Sequence, residues 1–132
     1  MIYLKGNHKY IESIDKDLLI IWKGFIQKIN HFNKNNNNAS DLLRDIDILI
    51  GTILEKDAFA KDELKEAFTG LSSILQKIRV QITDMDSEFH NFTRSNFAIQ
   101  KEKLEQLVVQ ARKNLMLVAV DLKVVNLSRR NA

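Results

Sequence analysis

A run of apolar residues at alternating four- and three-residue steps occupies the middle of the chain and continues for four heptads. No polar residue interrupts the run, and its spacing places every member on one side of an α-helix. A helix with such a seam has to bury it against other helices, so the seam predicts how the chain packs. Its members are Leu64, Phe68, Leu71, Leu75, Ile78, Ile82, Met85, Phe89 and Phe92.

A second apolar seam follows after a change of register, which predicts a tight reversal at residues 93–96. Thr93 or Ser95 can cap a new helix at this point. The reversal would separate a helix at about 61–92 from a last helix. A four-residue insertion into one continuous coiled coil would produce a similar pattern. The second seam consists of Phe97, Leu104, Val108, Ala111, Leu115, Val118, Leu122 and Val125.

The first half of the chain predicts two more helices, joined by a loop rich in asparagine. Apolar periodicity runs through residues 9–33 and passes Gly24, so this glycine is expected inside a helix. Asparagine side chains compete with the helix backbone, so the asparagine run at 33–39 predicts an exposed, mobile loop. Ser40 is a good N-cap for the next helix.

The end of the second helix has two possible interpretations. Residues 56–61 contain neither glycine nor proline to force a turn. A bend there gives four helices, whereas no bend gives one helix of about fifty residues, far above the usual length.

We therefore predict an all-α fold, an up-and-down antiparallel four-helix bundle or three long helices with one kinked. Coiled-coil-like packing of the two seams should form its core. The chain has no proline, four glycines and 45% hydrophobic residues, a composition typical of long helices with short connections. Its 132 residues correspond to a single domain, 1–132, with a loose N-terminal arm at 1–8.

Composition excludes several kinds of chemistry. The chain has no cysteine, which excludes disulfides, thiolate metal sites and a cysteine nucleophile. No secretory signal and no run of 18 apolar residues is evident, so we expect a cytoplasmic protein without a membrane span. No catalytic motif or cluster of metal ligands occurs in the sequence. We therefore expect no enzyme, no cofactor and no small-molecule substrate.

One histidine supports an alternative function. The sequence from Met85 to Ser95 resembles, over about ten residues, the phosphorylated helix of histidine phosphotransfer domains, which are also helical bundles. The resemblance implies that His90 carries phosphate, and Asp86 lies one turn earlier, where it could orient the ring. The lysine and glycine that follow the histidine in that family fall at Thr93 and Arg94 in this chain.

The last third of the chain is basic, but its charges are spread out. Residues 94–132 hold eight basic and three acidic side chains along the whole segment. Nucleic-acid modules usually have denser basic faces or stacking aromatic residues, so we expect no nucleic-acid partner.

The last helix is apolar on more sides than one bundle seam requires. Such a helix is either central in a bundle or covered by another molecule. The layout is similar to that of helical export chaperones and bacteriocin immunity proteins. We therefore expect a protein-binding module, either an adaptor, an export-type chaperone or an inhibitor, or a homodimer that covers the same surface. The candidate partner-binding residues are Leu117, Val120, Val124 and Leu127.

Overall fold

The computed structural model describes residues 18–57 and 62–131, with the side chains of residues 18–55 and 65–116. These described residues form four helices that pack against one another and contain no strand, which confirms the all-α four-helix fold. The predicted arm at 1–8 lies outside the described residues. The helices are α1 (residues 18–31), α2 (Ala39–Asp57), α3 (Asp62–Ser87) and α4 (Arg94–Asn131).

Short connections and lateral contacts show that successive helices run antiparallel. The Lys28 ammonium on α1 lies 2.9 Å from the Asp45 carboxylate on α2. The amide of Gln81 on α3 donates to the side-chain oxygen of Gln100 on α4 at 3.0 Å. The Arg79 guanidinium on α3 likewise contacts the Asp47 carboxylate on α2 at 2.6 Å. Each pair of successive helices therefore packs side by side. The α2–α3 hairpin also excludes a continuous fifty-residue helix, although residues 58–61 themselves lie outside the described part.

The core is built from the predicted seams. All described members of the first seam except Phe92 are buried, and Phe92 is half-buried against the core. The side chains of Leu64, Val118, Leu122 and Val125 lie outside the described residues. The second seam contributes to the same core. Its buried members are Phe97, Leu104, Ala111 and Leu115.

An aromatic cluster closes the end of the bundle where the α1–α2 and α3–α4 connections lie. The ring of Phe32 stacks on Phe89, with centroids 6.2 Å apart, and meets Phe97 edge-on at 5.3 Å. Phe97 also meets Phe92 at 6.3 Å. Edge-on and offset stacked rings are favourable beyond the area they bury. The cluster therefore ties the two connections together, and we call this the closed end.

The reversal between α3 and α4 occurs earlier than the sequence predicts. Helix α3 ends at Ser87 and residues 88–91 form a turn, so Phe89 and Phe92 lie outside the helix although they keep its apolar spacing. The Thr93 hydroxyl accepts a hydrogen bond from the Asn96 amide at 3.1 Å, which confirms Thr93 as the cap of α4. The prediction of a reversal at 93–96 was wrong by about one turn. Phe89 is buried although it lies in the turn, so its apolar spacing does not mark the end of the helix.

The asparagine run forms the exposed connection between α1 and α2 that its composition predicts, and hydrogen bonds make this connection a compact turn. The backbones of Asn33 and Asn36 exchange two hydrogen bonds, and the Asn37 side chain accepts from the Ala39 amide at 3.2 Å. The Asn38 amide donates to the Lys28 carbonyl at 2.8 Å. Helix α2 consequently begins at Ala39, so Ser40 lies inside the helix and does not cap it. As the sequence indicates, the asparagine side chains form hydrogen bonds with backbone groups, and these bonds hold the turn together.

The first testable prediction concerns the closed end. Phe32 is fully buried and contacts two other rings of the cluster. Phe32→Ala should lower the free energy of unfolding by about 3–5 kcal/mol, because it removes buried apolar surface and leaves a cavity. Urea unfolding monitored by circular dichroism measures the change. The exposed Ile99→Ala serves as the control and should stay within about 0.5 kcal/mol of the wild type.

The second prediction concerns the helical glycines Gly24 and Gly51. A Cβ atom added at either position would meet nothing within 4 Å. Alanine restricts the unfolded chain more than glycine does, so each Gly→Ala substitution should stabilise the fold by about 0.5–1 kcal/mol. Thermal unfolding of the two variants tests this, and a lower melting temperature in both would contradict the helical packing described here.

Candidate functional site

An apolar groove of about 620 Å³ runs between α1 and α4 on the outside of the bundle. We call it the α1–α4 groove. It lies away from the aromatic cluster, because its lining residues stand at 19–27 on α1 and 108–116 on α4 whereas the rings stand at 32, 89, 92 and 97. Its lining residues are Leu19, Trp22, Lys23, Ile26 and Gln27 from α1, and Val108, Val109, Arg112, Leu115 and Met116 from α4.

The groove has a buried floor and open apolar edges. Trp22, the only tryptophan of the chain, is 8% exposed, and Leu115 is also buried. By contrast Leu19, Val109 and Met116 are exposed, and Met116 is 59% exposed. Exposed apolar side chains next to a concave apolar floor are typical of a surface that binds a partner.

The local sequence explains why α1 leaves apolar surface uncovered. Residues 18–22 are five consecutive apolar residues, Leu-Leu-Ile-Ile-Trp. Five successive residues point in all directions around a helix, so a single buried stripe cannot cover them all. Leu18 and Trp22 are buried, whereas Leu19 and Ile20 are exposed.

The charges that line the groove are all positive. Lys23 stands on the α1 wall and Arg112 on the α4 wall, and both side chains are exposed. No carboxylate lines the groove among the described residues. The ion pairs between described side chains lie elsewhere, on α2 with Lys28, Arg44 and Arg79, and include neither groove cation.

The shortest of those ion pairs joins α2 to α3 and does not belong to the groove. The Arg79 guanidinium donates to the Asp47 carboxylate at 2.6 Å. This hydrogen bond, and secondly the negative charge of Asp47, raises the pKa of Arg79 above its ordinary value. Arginine is charged at every physiological pH in any case, so the pair supplies orientation and no proton-transfer chemistry.

The predicted partner-binding residues lie on the part of α4 that follows the groove. Helix α4 has 38 residues, twelve more than the 26 of α3, so it is longer by about 18 Å at the usual helical rise. Positions 120, 124 and 127 fall on the same face of this helix as position 116. The side chains of Leu117, Val120, Val124 and Leu127 lie outside the described residues, so their role as a binding surface stays a prediction.

The geometry around His90 differs from what the phosphotransfer alternative requires. His90 is exposed in the turn after α3, not within a helix. The Asp86 carboxylate accepts a hydrogen bond from Asn37 at 3.1 Å, which holds the asparagine turn against α3. Asp86 therefore joins α3 to the α1–α2 connection. The sequence had instead suggested that Asp86 orients the imidazole of His90.

Other kinds of site find no support in the part of the chain that the structure describes. Among those residues no group of three or more metal-ligating side chains comes together. Within the same ranges no helix combines the length and the apolar character needed to cross a membrane.

Comparisons with known proteins leave the groove as the main guide to function. No protein family, no curated protein and no solved structure matches the chain. The site has to be interpreted from its own geometry.

The predicted partner-binding residues include none of the residues that line the groove. The prediction placed them later in α4, at positions 117–127, and it named no residue of α1. The five-residue apolar run at 18–22 was the available signal, since it exceeds what one stripe can bury.

The third prediction tests whether the groove is open in solution. Wild-type protein should bind an uncharged apolar fluorescent dye, and the bound dye should alter the emission of Trp22. Met116→Asp should weaken dye binding about tenfold, because it replaces an apolar contact at the edge of the groove with a hydrated charge. Val80→Asp is a matched control on α3, since Val80 is 58% exposed and outside the groove. Equal losses in both variants would show that the dye does not report on the groove.

Proposed function

We propose that this protein is a non-enzymatic protein-binding module, such as an adaptor, an export-type chaperone or an inhibitor of the immunity-protein kind. The observation that carries the proposal is the α1–α4 groove, where a buried floor is bordered by exposed Leu19, Val109 and Met116. An apolar groove between two helices is a common way to recognise an amphipathic segment of another protein.

The length of α4 supports the same proposal. The helix continues beyond Met116 to Asn131, and this segment is rich in apolar residues. Val120 and Leu127 occupy positions in helical register with Met116, so the groove and the predicted binding residues form one continuous stretch of α4. A partner that fills the groove would therefore also run along this segment.

A homodimer is the second form that this function can take. A symmetric dimer would use the same α4 surface on both copies, and apolar surface of this kind is common in such interfaces. We also propose a cytoplasmic location, which is compatible with a chain that has no cysteine.

The phosphotransfer alternative receives no such support. Its candidate His90 lies in a turn, and the nearby Asp86 carboxylate is engaged by Asn37. We therefore advance the protein-binding function alone.

The fourth prediction concerns affinity capture from the native cell with four baits, the wild type and three variants. Wild type and Val80→Asp should retain the same partner, whereas Met116→Asp should lose it, because Met116 borders the groove and Val80 does not. Val120→Asp extends the test to the predicted residues of α4. Circular dichroism of each bait checks that the helices remain folded.

Two results would argue against the proposal. A partner retained equally by all baits would place its binding surface elsewhere on the bundle. A protein that captures no partner and sediments as a monomer at every concentration would contradict both the hetero- and the homomeric form.

A further inference from the structure

We propose that the α1–α4 groove receives an amphipathic helix of a second protein, one that carries acidic residues beside its apolar face. The inference rests on the proposed function and specifies the chemistry of the partner. Three properties of the groove carry it: its dimensions, the arrangement of its apolar residues and the sign of its charges.

The dimensions fit a short stretch of helix. The lining residues extend from 19 to 27 on α1 and from 108 to 116 on α4. Each range covers about 12 Å of helix axis, slightly more than two turns. A partner helix laid along the groove would thus place residues i, i+3 or i+4, and i+7 within it.

The apolar residues are arranged for such anchors. Trp22 and Leu115 form the floor, and Ile26 and Val108 are half-buried beside them. Met116 at the edge is unbranched and adapts its shape to different apolar side chains. The exposed edges leave the groove open along its side, whereas a small-molecule site would enclose most of its ligand.

The charges that line the groove determine which charged residues a partner helix should carry. Lys23 and Arg112 stand on opposite walls, and no described carboxylate lines the groove with them. A helix lying between the walls would bring its flanking positions close to both cations. Acidic residues at those positions would be attracted from either side, and basic residues would be repelled. An apolar helix with acidic flanks is therefore the complementary occupant.

The fifth prediction uses synthetic peptides as probes on the full-length protein. One panel has about 14 residues per peptide, with Leu, Ile, Met or Phe at i, i+3, i+4 and i+7 and Glu at the flanking positions. The matched panel replaces every Glu by Lys. Peptides without tryptophan allow Trp22 emission to report binding. The best acidic peptide should bind at least about tenfold more tightly than its basic counterpart, and added salt should reduce the difference.

Charge reversal on the protein provides the matched test. Arg112→Glu should weaken the acidic peptide about tenfold and strengthen the basic one, since it inverts the charge of one wall. Lys77→Glu changes the net charge equally at an exposed position of α3 outside the groove and should leave both affinities unchanged. Met116→Asp should weaken the acidic peptide, because it removes an apolar contact and places a negative charge one helical turn from Arg112.

The possible negative results distinguish this inference from the more general proposal of a protein-binding function. Equal binding of acidic and basic peptides would overturn the charge preference, while the groove would still be a protein-binding surface. Binding of neither panel would overturn the helical occupant, and a native partner lost on Met116→Asp would still support the general function. Self-association that Arg112→Glu abolishes would identify the occupant as a second copy. Peptide binding that appears only after deletion of residues 1–8 would identify that arm as the occupant, and it too would overturn the inference.

Discussion

Burial of the α3 seam is the constraint on which the rest of this structure depends. Helix α3 packs against both α2 and α4, and its described seam residues from Phe68 to Met85 are buried. Removal of apolar surface from water is the main favourable term in folding, and it scales with the area buried. A seam that extends through four heptads needs helical neighbours along its whole length. The antiparallel hairpins on either side of α3 satisfy that need with short connections.

The two ends of the bundle have different properties because of how the seams finish. At the closed end the rings of Phe32, Phe89 and Phe97 meet, and the asparagine turn bonds to α3 through Asn37 and Asp86. Lys34 strengthens the same region, since its ammonium lies 5.0 Å from the Phe89 ring centroid and donates to the Phe89 carbonyl. Towards the other end, α4 is twelve residues longer than α3. The apolar residues Leu19 on α1 and Val109 and Met116 on α4 are exposed there. The aromatic contacts therefore lie at one end, and the exposed apolar edges of the groove lie towards the other.

The sequence predicted the parts of this fold that depend on periodicity. The seams of α3 and α4 could be identified because apolar spacing reports directly which side of a helix is buried. The position of the α3–α4 turn could not be identified in the same way. Phe89 and Phe92 keep the apolar spacing of the helix although the helix has already ended at Ser87. Both rings contact Phe97 from a non-helical backbone, so the apolar spacing alone does not show where the helix ends. The order of the asparagine turn likewise depends on distant groups, the Lys28 carbonyl and the Asp86 carboxylate, which no local pattern reveals. The groove was not predictable from local patterns, because it forms between residues about ninety positions apart and depends on how α1 meets α4.

The clustering of aromatic residues at one end separates the groove from the contacts that join the connections. Trp22 lies ten residues before Phe32, about 15 Å along α1 from the ring cluster. Sites this far apart that share no contacts contribute to stability almost independently. The lining of the groove can therefore vary by substitution while the aromatic anchor of the bundle is preserved.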